Sequence, residues 1–183
     1  MLNSLTESLR GGTDLTTEQV AGAVGQMTAE DVTPEVKADF LTALAEKGET
    51  AGELAAFAGE LRARATAVPL DDATRARTIL DVCGTGGDGL NTFNISTTVA
   101  ILCAAAGVTV AKHGNRAITS KSGSADVLNA LGIPTDLSPE AAGAAMGEHG
   151  FAFLFAPMYH PAFKHIAPAR ALCAERGQRT LFN

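Results

Sequence analysis

The spacing of apolar positions changes partway along the chain. In the first part they recur at helical intervals between capping signals. Thr16 and Gln19 form a capping box ahead of an Ala/Val-rich stretch that reaches about Met27. Thr33 and Pro34 supply an N-cap and a first-turn proline for a helix that ends at Gly48. Thr50 with Glu53 makes a second capping box and opens a helix to about Ala67, with Leu54, Phe57, Ala58 and Leu61 predicted as its inward face. Pro69 and the polar run Asp71–Thr78 break the pattern. These helices and the lack of a strand signal predict a small all-α unit over residues 1–72.

Beyond residue 78 the grammar is that of an α/β domain, residues 73–183. Ile79–Cys83 is a short apolar run that ends in glycines, as a buried parallel strand does. A helix follows from Asn94 to about Ala106, then a strand Val108–Ala111 and a loop Lys112–Ser122. Ser124 or its neighbour opens a helix that ends at Gly132, Ser138-Pro139-Glu140 caps another, and Phe151–Phe155 is a third strand. The order β-α-β-α-α-β predicts a mainly parallel sheet with helices on its faces. The last helix, about 161–176, is free to return to the helical unit. The fold class is therefore α/β, a small N-terminal helical domain followed by a larger parallel-sheet domain. With three strands and an apolar end at Thr180–Asn183, the sheet is expected to be incomplete.

Charge sharpens this division. Residues 1–80 hold 7 Lys+Arg against 13 Asp+Glu, and residues 81–183 hold 7 against 7, so the net charge of −6 lies in the first part. Nucleic-acid binding needs a basic face and is not expected. No apolar run approaches a membrane span, the start lacks the features of a signal peptide, and a cytoplasmic location is the expectation. Cys83, Cys103 and Cys173 lie apart, in apolar or small-residue settings, and are read as buried structural thiols rather than a disulfide framework or zinc site.

Two segments carry candidate chemistry. Gly84-Thr85-Gly86-Gly87-Asp88-Gly89 follows the first strand, where backbone amides can turn inward around a phosphate. It leads into Asn94-Ile95-Ser96-Thr97 at a helix N-terminus, an anion site by dipole and free amides. The letters fit neither GxGxxG nor GxxxxGK[ST]. The second segment, Lys112 to Ser124, holds three Lys/Arg, one His, four hydroxyl residues and no acid. Two neighbouring anion loops suit a ligand that bears a pyrophosphate and a separate phosphate. His113 is read as a loop histidine that shapes the backbone rather than as a base. His149, His160 and His165 have no metal spacing, and His160 reads as a helix-start residue.

The runs DVCGTGGDGLNTFNIST, VAKHGNRAITSKSGSADVLNALG and HPAFKHIAPARALCAERGQRTLFN resemble the anthranilate phosphoribosyltransferases of tryptophan biosynthesis. That resemblance implies a transfer from phosphoribosyl pyrophosphate to anthranilate, with Mg²⁺ and no covalent nucleophile. It places the donor on Gly84, Gly87, Asp88, Thr92, Asn94, Ile95, Ser96 and Thr97, and on Lys112, His113, Gly114, Asn115, Arg116, Ala117, Ile118, Thr119, Ser120 and Ser124. It gives Ser96 contact with the metal, and Gly84, Asn115 and Arg170 the anthranilate side. A homodimer through the helical domain is implied, and the apolar faces of residues 16–67 are expected to be available for that contact. Family members run nearly twice as long, with their main acidic metal ligands beyond Asn183, so the chain is expected to be truncated and, alone, to turn over negligibly. The rival readings are a pyrimidine nucleoside phosphorylase-like enzyme, whose Lys-His-Ser-Thr-Gly-Gly-type loop is not matched, and a non-catalytic nucleic-acid-binding relative or inactive fragment.

Overall fold

The computed structural model describes residues 1–84, 93–116 and 122–182. These form two compact units, Met1–Ala65 with His160–Asn183, and Thr66–Tyr159. No helix of the described residues is long and apolar enough to cross a membrane.

The first unit is helical: α1 (Leu2–Arg10), α2 (Thr17–Thr28), α3 (Pro34–Lys47), α4 (Ala51–Ala63) and α10 (Phe163–Glu175). Both expected capping boxes form, Thr16 with Gln19 and Thr50 with Glu53. Leu2, Leu5 and Leu9 on α1 and Val20, Ala23, Val24 and Met27 on α2 point inward at helical spacing. α3 is the central helix. It buries Lys37, Ala38, Phe40, Leu41, Ala43 and Leu44, a face wide enough to meet α1 and α10. Ile166, Ala169 and Cys173 are the part of α10 buried in this core.

The inward face of α4 differs from expectation. Phe57 and Leu61 are buried, but Leu54 and Ala58 are exposed and the third inward residue is Glu53. The cause is polar satisfaction. Glu53 accepts from Leu15 N–H (2.9 Å), Thr50 N–H (2.8 Å) and Lys47 Nζ (2.9 Å), which rotates the helix to place its carboxylate inside. Lys47 also reaches Asp14 at 2.7 Å. Lys37, likewise buried, donates to the carbonyls of Ala29 (2.7 Å) and His165 (3.1 Å).

The second unit holds β1 (Ile79–Leu80), β2 (Thr109–Gly114) and β3 (Phe151–Phe155), parallel and in the order β1-β2-β3. Around them lie α5 (Asp72–Arg75), α6 (Ile95–Ala105), α7 (Ser124–Ala130), α8 (Pro139–His149) and α9 (Ala156–Tyr159). Alternation splits β3 between two cores. Ala152 and Leu154 join Met146 and Tyr159 on the α8 side, while Phe151, Phe153 and Phe155 join Ala125 and Leu128 on the α7 side. α8 lies close to the incoming chain because it presents glycine there: a Cβ on Gly143 would sit 2.0 Å from the Pro69 carbonyl oxygen.

Two strand boundaries move from those expected. β1 pairs over two residues only, Ile79↔Thr109 and Leu80↔Val110. β2 runs on through Lys112, His113 and Gly114, expected to be loop, because β3 pairs with them: Lys112↔Phe153, His113↔Leu154, Gly114↔Phe155. The short helices α5 and α9 are also additions to the predicted pattern. Of the cysteines only Cys173 is buried; Cys83 is exposed at the end of the β1 segment and Cys103 is half-buried.

Candidate functional site

Ligands of parallel sheets bind beyond the carboxyl ends of the strands, where the described residues of the two candidate segments follow β1 and β2. Gly84 closes the described part of the first loop. Gly87, Asp88 and Thr92 lie outside the described residues, as do Ala117, Ile118, Thr119 and Ser120 of the second.

The first loop re-enters at Asn94, the N-cap of α6. Asn94 does not cap its own helix, unlike Thr16, Thr50 and Ser138, whose side chains accept a first-turn amide. Its amide Nδ2 donates instead to the Ser122 carbonyl at 3.2 Å, which joins the start of α6 to the second loop. The first-turn amides of α6 are thereby left without a side-chain cap, at the positive end of the helix dipole. Ile95 is exposed and Ser96 half-buried. Thr97 is buried, and its hydroxyl has no hydrogen-bond partner among the described residues. A Cβ on Gly84 would lie 3.5 Å from Ser96 Oγ, so the glycine lets the loop pass close to that hydroxyl.

The second segment is built on β2. Lys112 is 2 % exposed. By strand alternation it shares the face of Gly114, which packs against Phe153 and Ser124, and so lies on the α7 side of the sheet. Its ammonium donates to the carbonyl of His113. Burial pushes the Lys112 ammonium below the usual lysine value, opposed by Cys83 and Asp81. His113 N–H donates to Asp81 Oδ1 at 3.2 Å. Gly114 is required by close approach: a Cβ there would lie 2.9 Å from the Phe153 ring and 3.0 Å from Ser124 Cβ. Asn115 is exposed; its carbonyl accepts from Ala125 N–H at 3.2 Å and its side-chain oxygen from Arg116 N–H at 2.8 Å. The Arg116 guanidinium stands over the Phe155 ring, 5.7 Å from its centroid. Ser124 opens α7 behind Gly123, whose N–H is held by Asp126 at 2.7 Å.

Within this unit the structure brings together Gly84 and Ser96, and joins Asn94 to the Lys112–Ser124 segment. Arg170 belongs to the other unit, on α10, where it is half-buried and its Nε has no partner among the described residues. Sequence reasoning missed Asp81 and the tie from Asn94 to Ser122. Asp81 carried a signal, being an acid inside an apolar strand run, whereas a contact between loops 28 residues apart carries none. Among the described residues no group of three or more His, Cys, Asp or Glu could hold a metal ion.

This arrangement, a parallel sheet with an uncapped helix N-terminus and a cationic strand end, belongs to an α/β domain joined to a helical unit. Residues 76–183 match the glycosyl transferase family a/b domain, and residues 3–65 its helical bundle domain. The chain belongs to this glycosyl transferase family. It is 46 % identical over 183 residues to the anthranilate phosphoribosyltransferase of Dehalococcoides mccartyi (strain CBDB1), covering 100 % of this chain and 51 % of that relative. A crystal structure of the Thermus thermophilus anthranilate phosphoribosyltransferase superposes with a TM-score of 0.84 at 43 % identity, covering 97 % of this chain and 52 % of that one. The Saccharomyces cerevisiae enzyme in complex with phosphoribosyl pyrophosphate and Mg gives 0.82 at 28 % identity, covering 99 % and 52 %. The same yeast enzyme has been solved with 4-fluoroanthranilate, at a TM-score of 0.77 and 26 % identity, covering 99 % and 50 %. The family resemblance and fold class expected from the motifs are borne out. The chain spans about half the length of the curated relatives it matches.

Proposed function

We propose that the whole protein to which this chain corresponds transfers the phosphoribosyl group of phosphoribosyl pyrophosphate to anthranilate, in tryptophan biosynthesis. The observation that supports the reading is the bond from Asn94 Nδ2 to the Ser122 carbonyl, which ties the uncapped start of α6 to the segment that follows β2. The names of the relatives support it from a second side.

In this reaction the anthranilate nitrogen forms a bond to C1 of the ribose as the bond from C1 to the pyrophosphate oxygen breaks, and the amine loses one proton. Negative charge gathers on the leaving group, so positioning and charge neutralisation supply the catalysis. The first-turn amides of α6 and the Lys112 ammonium are the proposed groups that receive that charge. The remaining donor contacts expected from the sequence, including those outside the described residues, form part of this proposal. Asn115 and Arg170 are the proposed grip on the anthranilate carboxylate, for which a guanidinium offers two parallel donors. The aromatic amine is uncharged at pH 7 and needs no strong base.

Mg²⁺ takes oxygen ligands, phosphate among them, and keeps several waters. Ser96 offers one hydroxyl oxygen, and the described residues hold no carboxylate cluster. Ser96 is the residue of this chain that would hold the ion, which would add positive charge at the leaving group. For the whole protein we further propose a cytoplasmic homodimer formed through the helical unit. The apolar faces expected to be free for that contact are buried inside the unit, and of its large apolar side chains Met1 and Leu54 are the exposed ones among the described residues. Light scattering decides the dimer, and a monomer at micromolar concentration would overturn it.

The activity is tested by following anthranilate fluorescence with the full-length protein. Anthranilate should disappear only when phosphoribosyl pyrophosphate and Mg²⁺ are both present. No consumption, or consumption without the donor, refutes the reading.

A further inference from the structure

The backbone ladder between β1 and β2 ends at Leu80↔Val110, yet β2 continues to Gly114. Had β1 kept its register, Asp81 would face Ala111. Instead the chain turns away, and the Asp81 side chain reaches His113 N–H, two residues further along β2. That N–H would otherwise face the gap left by β1 without a backbone acceptor. On the other side of the same residue, the His113 carbonyl accepts from the Lys112 ammonium. The backbone of His113 is thus held by a carboxylate on its N–H and by an ammonium on its C=O. Among the described residues one of the three Lys112 donors is used in this way.

A carboxylate beside an anion site weakens anion binding by repulsion unless it has another task. The surroundings of Lys112 supply one. Among the described residues Cys83 and Asp81, on the chain leaving β1, are the groups whose charges favour its charged form against burial. β3 has no ionisable side chain, α6 has only Cys103, and on α7 Asp126 is bonded to Gly123 N–H. Among the described residues Asp81 is therefore a carboxylate whose charge acts on the buried Lys112 ammonium.

Building on the reading of this strand end as a diphosphate site, we propose that Asp81 is a positioning residue. Its carboxylate holds the end of β2 from the β1 side and balances Lys112, so that Lys112 meets an incoming diphosphate already placed and already charged.

The test compares Asp81→Asn, which keeps an acceptor oxygen without the charge, with Asp81→Ala, which removes both. Inorganic pyrophosphate with Mg²⁺ is the probe in calorimetry at neutral pH. NMR follows hydrogen exchange at the His113 amide and the titration of the Lys112 side chain. The expected result is that Asp81→Ala weakens pyrophosphate binding about tenfold although it removes a negative charge, and speeds exchange at His113. Asp81→Asn should retain the protection at His113 while Lys112 loses its proton at a lower pH than in the parent chain. Pyrophosphate binding equal to or tighter than the parent's in Asp81→Ala would overturn the proposal, as would an unmoved Lys112 titration in Asp81→Asn. If the parent chain itself does not bind pyrophosphate, the proposed function loses its support for this chain, and the two NMR readouts still decide the role of Asp81.

Discussion

Single buried polar groups set much of the behaviour of the helical unit. Burial alone would raise the Glu53 carboxyl, but hydrogen bonds from Leu15 N–H, Thr50 N–H, Lys47 and the Thr50 hydroxyl bring it from 4.5 to about 2. A carboxyl lowered on folding contributes stability that is present above its unfolded value and lost as pH falls through its folded one. The expected loss is about 3 kcal/mol between about pH 4.5 and 2, visible in urea titrations over that range. Glu53→Gln should abolish most of this acid dependence and lower stability at neutral pH by about 3 kcal/mol, because Lys47 keeps a buried charge with less compensation. A flat pH profile in the parent chain would refute the assignment. At the other unit, Gly114→Ala should cost about 1–3 kcal/mol, since its Cβ would stand 2.9 Å from a ring packed at the centre of the sheet. Thermal unfolding monitored by circular dichroism gives the answer, and an unchanged Tm would mean that Phe153 and Ser124 yield freely.

Among the elements, α8 depends on glycine for where it lies. A Cβ at Gly143 would meet a backbone carbonyl at 2.0 Å, and one at Gly147 the Thr74 hydroxyl at 3.0 Å. Gly143→Ala is expected to destabilise by about 1–3 kcal/mol despite its better helix propensity, because a backbone atom cannot rotate aside. Gly59→Ala, an exposed helical glycine on α4 with nothing within 4 Å, is the matched control and should be neutral or stabilising. Equal melting temperatures for the two variants would rule the packing argument out. The elements that the sequence revealed are those with local signals: the Thr16 and Thr50 boxes, the Ser138 cap, and glycines at positive φ after α3 and α6. What stayed hidden depends on partners distant in sequence. β2 extends through Lys112 because β3 pairs with it, β1 stops where its chain turns away, and α4 turns Glu53 inward because Leu15 and Lys47 wait for it. The two anion segments were visible as letters; the side-chain links that hold them were not.

For the molecule as a whole, the chain carries a helical bundle domain and an α/β domain of its family, yet spans about half the length of its curated relatives. Purified as 183 residues, it is expected to show negligible turnover with anthranilate, phosphoribosyl pyrophosphate and Mg²⁺, while the full-length protein is active. Measurable turnover by the 183-residue chain would show that the metal ligands expected beyond it are dispensable. The inward-turned lysines have a consequence for covalent chemistry. Lys37 is buried with its ammonium on two carbonyls, and the Lys47 side chain is 5 % exposed between Asp14 and Glu53. An acylating reagent finds neither amine as a free nucleophile, while Lys164 stands in solvent. Amine-directed cross-linking or acetylation of the helical unit therefore reads out the surface of α10 and the chain's first residue, and a sudden gain of label at Lys37 or Lys47 marks the opening of the bundle.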